Sequence, residues 1–266
     1  MSVRSVRQPA VAGQFYPADP DRLRRDVQQY INRASLPEDL GRVRAVIAPH
    51  AGYVYSGVTA GYAFKALEQL SDKARTVFLL GPAHRVPVMG VALGSYSAFR
   101  TPLGDVPVAV DRVADMLETD SLYTRAPDAH EPEHCLEVQL PFLQVSLANF
   151  ELVPMLFGQV DPWKAAEDLS DRLGEDDLVV VSSDLSHFHT YDTARQRDKA
   201  FLNAVLQADE KGVEEGEACG GAPVLTLMEI SQDKGWNPHL LDYRNSGDTA
   251  GNKARVVGYG SIAYTG

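Results

Sequence analysis

The sequence predicts an α/β protein of three layers, in which helices cover both faces of a mainly parallel, mixed central sheet. Strand-like apolar runs alternate with segments of helical periodicity along the 266 residues, and no repeat or low-complexity linker interrupts them. Three of the strand-like runs also end within a few residues on a histidine, at His50, His84 and His187. Because ligands bind beyond the carboxyl ends of parallel strands, we expect these imidazoles at one edge of one sheet.

The first strand–helix unit lies near the start of the chain. A strand over residues 43–48 leads through a predicted loop at residues 52–57 into a helix over about residues 58–70. The next strand ends near Gly81. Residues 88–110 hold short extended pieces with turn residues, which predicts an antiparallel excursion from the parallel sheet.

The middle of the chain carries two helix signals. Asp111 is a candidate N-cap for a helix to about Glu118. Pro132 occupies a favourable first-turn position for a second helix, which is expected to bend before Pro141.

The last elements continue the alternation of strands and helices. The pattern predicts strands near residues 152–157 and 179–181, helices over about 162–173, 193–207 and from Cys219 to about 232, and extended pieces at 239–243 and 254–264.

Composition excludes several classes of function. The chain has 25 basic and 36 acidic residues, a net charge of −11, and no dense Lys/Arg block that could neutralise a nucleic acid. No apolar run approaches the roughly 18 residues of a membrane span, and the start lacks the apolar core of a signal peptide. We therefore expect one soluble, cytoplasmic domain over residues 1–266, without nucleic-acid or membrane partners.

Two histidines and one cysteine are the candidate metal ligands. His50 and His84 each follow a buried strand through a short Pro-containing loop, which holds an imidazole with little loss of entropy on ligation. Cys219 stands at a predicted helix N-terminus, where free amides and the helix dipole favour the thiolate. Cys135, in an apolar register, is assigned to packing.

Other residues are candidates for proton transfer or for lining the pocket. His187 can act as general acid or base beside the metal, and Asp184 can orient it or a bound water. The remaining candidates for this pocket are His134, which follows Glu133, together with Glu137, Tyr53 and Tyr55.

Six ordered motifs carry a resemblance to a known family. They are Ala48-Pro-His-Ala-Gly-Tyr53, Leu80-Gly-Pro-Ala-His84, Phe99-Arg-Thr-Pro-Leu103, Glu133-His-Cys-Leu-Glu-Val-Gln-Leu-Pro141, Val181-Ser-Ser-Asp-Leu-Ser-His187 and Ala218-Cys-Gly220. In these motifs the chain resembles the Memo family, also called AmmeMemoRadiSam system protein B, over nearly its whole length.

The resemblance implies a fold similar to class III extradiol dioxygenases, which are non-haem iron enzymes. It implies one iron or copper ion held by His50, His84 and Cys219, with His187 nearby. Cys219 stands where the dioxygenases have a carboxylate, and a thiolate moves metal preference toward Cu(I), Zn or thiolate-ligated iron. The resulting hypothesis is a metal-dependent, dioxygenase-like oxidoreductase, with Fe(II) favoured and Cu or Zn as alternatives.

Two other functions remain open at this stage. The pocket could bind a peptide or protein without turnover, and for a phosphorylated ligand the nearby cations are Arg85 and Arg100. A His/His/Cys site with an open position also suits a zinc-dependent hydrolase, whereas Ser182 and Ser183 lack the Gly-x-Ser-x-Gly elbow of a serine hydrolase. The family's composite name suggests radical-SAM and AMMECR-type proteins as partners.

Overall fold

The computed structural model describes residues 5–70, 74–119 and 121–266. The strands are β1 (Val6–Arg7), β2 (Val43–Ala48), β3 (Ala74–Pro82), β4 (Val91–Leu93), β5 (Ala98–Thr101), β6 (Gly104–Pro107), β7 (Tyr123–Arg125), β8 (Asn149–Phe157), β9 (Leu178–Ser182), β10 (His187–His189), β11 (Asn237–Asn245) and β12 (Val256–Thr265). The helices are α1 (Pro20–Arg33), α2 (Tyr53–Leu67), α3 (Val110–Thr119), α4 (Pro127–His130), α5 (Leu140–Ser146), α6 (Pro162–Arg172), α7 (Tyr191–Leu206), α8 (Glu210–Glu214), α9 (Gly221–Lys234) and α10 (Ser246–Thr249). Single 3₁₀ turns cover Glu68–Leu70 and Glu137–Gln139.

The central sheet has the order β10-β12-β2-β9-β3-β8-β4-β7, and β11 pairs with the other side of β12. Strands β2, β9, β3 and β8 are parallel to one another, whereas β12 and β4 flank them in antiparallel pairings. The helices pack as two groups: α1, α2 and α5 lie together over β2, β11 and β12, and α6 to α9 form the second group, with α9 on β3 and β9. This arrangement confirms the predicted α/β/α sandwich with a mixed, mainly parallel sheet.

The antiparallel excursion predicted for residues 88–110 takes two forms. Strand β4 joins the edge of the main sheet beside β8. Strands β5 and β6 form an antiparallel hairpin in a separate small sheet, which β1 completes by pairing parallel to β5.

Burial follows from the layered architecture. All five residues of β9 are buried, as are five of the six in β2, because helices cover both faces of the parallel strands. Within the described part of the chain, no helix combines the length and apolar character needed to cross a membrane.

Helix α2 begins earlier than the sequence pattern suggested. The stretch expected to be a loop, residues 52–57, is already helical from Tyr53, so this prediction was wrong. Its glycines serve helix packing rather than a turn: a Cβ on Gly57 would lie 2.7 Å from the Tyr30 ring, and one on Gly61 would lie 2.5 Å from the Tyr30 carbonyl oxygen. Glycine lets α1 and α2 approach this closely.

The helix expected to start at Pro132 is also absent. Residues 132–136 form no helix, a 3₁₀ turn covers Glu137–Gln139, and α5 begins at Leu140. Pro141 therefore stands in the first turn of α5, where its missing N–H is not needed, instead of bending a longer helix.

Helix α1 was not predicted from the sequence, although its sequence signals are present. The Asp19 side chain accepts a hydrogen bond from the Arg22 N–H, and Pro20 opens the helix. Leu23, Val27 and Ile31, four residues apart, form its buried stripe.

Candidate metal centre

His50, His84 and His187 follow three adjacent parallel strands, β2, β3 and β9. Ala48 at the end of β2 pairs with Ser182 at the end of β9, and Leu80 of β3 pairs with Val181 of β9. The loops after these strands therefore leave the sheet side by side, as predicted from the three strand-end histidines.

Three imidazoles gather at this edge: His50, His84 and His134. Each offers a ring nitrogen, and these three atoms all lie within 4.8 Å of one another. Their ring centroids are 5.1 to 5.6 Å apart. The rings of His84 and His134 stack, and the His50 ring stands nearly perpendicular to both. Such a set can offer several nitrogen ligands to one ion.

The tautomer of His50 is set by Ser182. The Ser182 hydroxyl donates its single hydrogen to the Cys135 carbonyl at 2.7 Å and accepts one from the Gln139 amide at 2.7 Å. His50 Nδ1 lies 2.9 Å from the same oxygen, so it must carry the proton and donate it. His50 Nε2 is thereby left with a free lone pair. Burial lowers the pKa of His50 well below 6.5, so the ring is neutral.

Glu133 orients His84. Its carboxylate accepts the His84 backbone N–H at 2.7 Å and lies 3.0 Å from His84 Nδ1. A carboxylate accepts the Nδ1 proton and leaves Nε2 free, which is the usual arrangement behind a metal-binding histidine.

The same carboxylate organises the next two residues. It accepts the backbone N–H groups of His134 at 2.9 Å and Cys135 at 3.2 Å. Burial acts to raise the pKa of Glu133, but its interactions with His134 and His84 outweigh burial and hold that pKa far below its usual range. Glu133 is therefore a fixed, buried anion beside the histidines.

Cys219 lies beside His50. It stands one residue before Gly220, the N-cap of α9, and its Sγ is 3.3 Å from His50 Nε2. On one tetrahedral ion, a sulfur ligand at about 2.3 Å and a nitrogen ligand at about 2.0 Å would lie roughly 3.5 Å from each other. The observed separation of the two atoms is close to this value. Burial, aided by Asp184, raises the pKa of this thiol to about 12, so the metal-free chain holds a thiol. In the metal-free chain, burial therefore outweighs the effect by which the helix N-terminus is expected to favour the thiolate.

A second set of donors, His84, Glu133 and Cys135, is equally compact. Cys135 is fully buried and its Sγ lies 3.2 Å from the Pro82 carbonyl, while Glu133 is occupied by the N–H groups described above. Burial raises the pKa of Cys135 well above its usual value. The first set is the better candidate, because its imidazoles face an open cavity. Neither compact set includes Cys219.

The cavity at this edge has a volume of about 740 Å³ and is lined by all three imidazoles. His187, Asp184 and Tyr55 also line it, as does Phe15, whose ring lies 4.9 Å from that of His134. Asp184 accepts the His50 backbone N–H at 2.7 Å, and burial raises the pKa of its carboxyl group despite this bond.

Two predicted pocket residues lie elsewhere. Tyr53 is buried, its hydroxyl donates to the Val138 carbonyl at 2.6 Å, and its ring packs 5.0 Å from that of Phe142. Glu137 forms a buried ion pair with Arg7 and accepts the Val11 backbone N–H, so it does not hold His134.

Several contacts at this site are not indicated by the sequence pattern. The sequence pattern indicates Ser182 only as a candidate nucleophile, and Glu133 only as a neighbour of His134. Arg255 lines the cavity, whereas Arg85 and Arg100 do not; Arg100 pairs with Asp105 in the small sheet. These roles depend on contacts between distant parts of the chain, for which the sequence carries no local signal.

The fold and the site together define an α/β/α sandwich protein with a histidine-rich candidate metal site at the carboxyl ends of its parallel strands. The profile of the family described as "Memo-like protein" matches residues 7–263, so the chain belongs to that family, which confirms the resemblance.

Relatives of similar length support this assignment. A "MEMO1 family protein" from Archaeoglobus fulgidus is 36% identical, and one from Sulfolobus acidocaldarius is 35% identical; each match covers 97% of this chain and 99% of the relative. A crystal structure of an uncharacterised Escherichia coli K12 protein superposes with a TM-score of 0.53 at 12% identity, covering 85% of this chain and all of the other. This last likeness concerns the fold alone.

Proposed function

We propose that the protein is a mononuclear metal-dependent redox enzyme that uses the cavity at the carboxyl ends of β2, β9 and β3. The observation that carries the proposal is the tautomer of His50: Ser182 holds the proton on Nδ1, so that Nε2 presents a lone pair 3.3 Å from the Cys219 sulfur. A nitrogen and a sulfur donor at this separation fit one ion.

In this proposal His50, His84 and Cys219 bind the ion, and His134 is a further ligand or neighbour. A bound iron or copper ion would supply one-electron chemistry and the activation of dioxygen, with Fe(II) as the first choice. The Glu133 carboxylate would hold the His84 ring in place and add negative charge near the cation.

The remaining residues of the cavity would handle substrate and protons. His187 lines the cavity, and we assign it the transfer of protons to or from a bound substrate. Asp184 would act indirectly, because its carboxylate fixes the backbone of His50. Phe15 and Tyr55 give the cavity apolar walls that would exclude water from the reacting groups.

Anaerobic purification with metal quantification tests the proposal. The chain should bind one iron or copper ion, and His50→Ala, His84→Ala and Cys219→Ser should lose most of it. Cys135→Ser is the matched control, since that thiol is fully buried and bonded away from the cavity. Full metal occupancy in the His50 and His84 variants would refute the proposal. Loss of metal in Cys135→Ser would indicate that the ion binds to the second donor set, His84, Glu133 and Cys135.

Turnover is tested separately by oxygen uptake after reconstitution with Fe(II) or Cu(I), using a panel of substrates that includes catechols. Metal-dependent oxygen uptake that His187→Gln lowers would support the redox assignment. Stoichiometric metal binding with no uptake by any substrate would instead favour a binding protein.

A second candidate is a zinc-dependent hydrolase, favoured by the set of three histidines with nearby ring nitrogens. Catalytic zinc sites commonly combine three protein ligands with a bound water of lowered pKa. Stoichiometric zinc without iron or copper after anaerobic purification would favour this candidate.

A further inference from the structure

Few charged side chains line the cavity. Apart from its histidines, the lining within the described part of the chain contains one cationic side chain, Arg255, and one acidic side chain, Asp184. The whole chain carries a net charge of −11, so a cation in this position is not a general feature of the surface. A lone guanidinium in a cavity of this kind is a candidate for ligand recognition.

The Arg255 guanidinium is held on an aromatic ring. Its Cζ lies 4.9 Å from the centroid of Phe188, and among the described residues no carboxylate forms an ion pair with it. Arg100 and Arg112, in contrast, form ion pairs with Asp105 and Asp177. A guanidinium that lies over an aromatic ring and has no carboxylate partner still has N–H groups to offer to a planar anion.

Phe188 reaches this position through an unusual backbone. Its φ of 64° lies in the left-handed region, where a non-glycine residue costs roughly 1–2 kcal/mol. It stands at an irregularity between β10 and β12, where His187 pairs with Val257 and His189 with Val256. Phe188 is 62% exposed although it lines the cavity. Neither the strained backbone nor the exposed aromatic side chain favours folding, so both indicate that Phe188 serves the cavity.

From these contacts we propose that the cavity binds a small monocarboxylate with a planar apolar body, whose carboxylate pairs with Arg255. One guanidinium matches one carboxylate in a bidentate pair. Apart from its histidines, the lining offers no second cationic side chain for the second charge of a dianion such as a phosphate monoester. The apolar body would lie against Phe188 and the aromatic walls at Tyr55 and Phe15. This inference rests on the proposed function, because it takes the same cavity as the substrate site.

The test uses the full-length, metal-free chain, so that a carboxylate cannot bind by ligating a metal. The probes are benzoate and 2-naphthoate, each compared with its neutral amide, and phenyl phosphate as the dianion, with binding followed by calorimetry or ligand-observed NMR. Arg255→Gln is the variant. Lys253→Gln is its matched control, because Lys253 lies over the Tyr191 ring at 4.4 Å and does not line the cavity.

The wild-type chain should bind at least one carboxylate saturably, and at least tenfold more tightly than the amide. Arg255→Gln should lose at least tenfold of this affinity, Phe188→Ala about threefold to tenfold, and Lys253→Gln less than twofold. Three results would each overturn the inference: no saturable carboxylate binding, equal binding by Arg255→Gln, or tighter binding of phenyl phosphate than of both carboxylates.

Failure of this inference can be told from failure of the proposed function. Arg255→Gln should keep the wild-type metal affinity, since among the described residues no hydrogen bond or ion pair joins Arg255 to a candidate ligand. If the chain binds carboxylates selectively but binds no metal, only the proposed function is refuted. Metal binding without carboxylate selectivity would remove only this inference.

Discussion

Replacing Glu133 by glutamine should weaken metal binding about 10- to 100-fold. The carboxylate accepts four N–H groups, two from His84 and one each from His134 and Cys135. Glutamine keeps one accepting oxygen but turns the other into an NH₂ group, which would face at least one of these donors. The affinity falls because the neutral amide orients the His84 ring less well and removes a negative charge near the cation, and each loss of about 1.4 kcal/mol in binding is tenfold in affinity. The expected range also matches the usual effect of losing a group that orients a ligand.

Glu137→Gln is the matched control, because both glutamates are buried in one short segment. Glu137 pairs with buried Arg7, so its replacement should lower the free energy of unfolding by about 3–5 kcal/mol. The metal affinity of the folded protein should change less than twofold. Tyr16→Phe, which removes only the phenol hydrogen bond to Glu137, is a milder control.

The assay is an anaerobic competition titration of Fe(II) or Co(II) against a chelator, with urea unfolding of the same samples. Equal metal affinity for Glu133→Gln and wild type would refute the role assigned to Glu133. An equal loss of affinity in Glu133→Gln and Glu137→Gln would show that general destabilisation, and not the orientation of His84, controls binding.

Three further changes test the fold. Burial lowers the pKa of His130 from 6.5 to about 4. Between these two pH values the unfolded chain binds a proton that the folded chain does not, so the free energy of unfolding falls as the pH falls. His130→Asn should reduce this loss by about 3 kcal/mol, measured by urea unfolding at a series of pH values. Gly61→Ala should lower the free energy of unfolding by about 1–3 kcal/mol or more, because the added Cβ would clash with Tyr30. Its control is Gly221→Ala, where the added Cβ meets open space and the free energy of unfolding should change by less than about 1 kcal/mol. Phe188→Gly should not lower the melting temperature, because it relieves a left-handed backbone.

The sheet and its ligand edge could be predicted because both depend on local patterns. Buried parallel strands appear as short apolar runs, and a histidine soon after such a run must lie at the carboxyl edge. His50 and His84 meet there as expected, with ring centroids 5.2 Å apart.

The errors arose where distant contacts overrule local patterns. Gly57 looks like a turn residue, yet its missing side chain makes room for Tyr30 on another helix. Pro132 looks like a helix start, yet the neighbouring Glu133 holds its segment against His84. No signal within a few residues distinguishes these cases, since the deciding partners lie about 27 and 49 residues away.

The register of the sheet links the fold to the chemistry of the site. Ser182, which fixes the proton on His50, is the register partner of Ala48, two residues before His50. Side chains alternate faces along a strand, so a slip of one residue would place Val181 opposite Ala48 and turn the Ser182 hydroxyl to the other face. His50 would then lose the acceptor that keeps its Nε2 lone pair free. The tautomer of a candidate ligand is thus set by strand pairing, which gives Ser182 a role at the site without any catalytic motif around it.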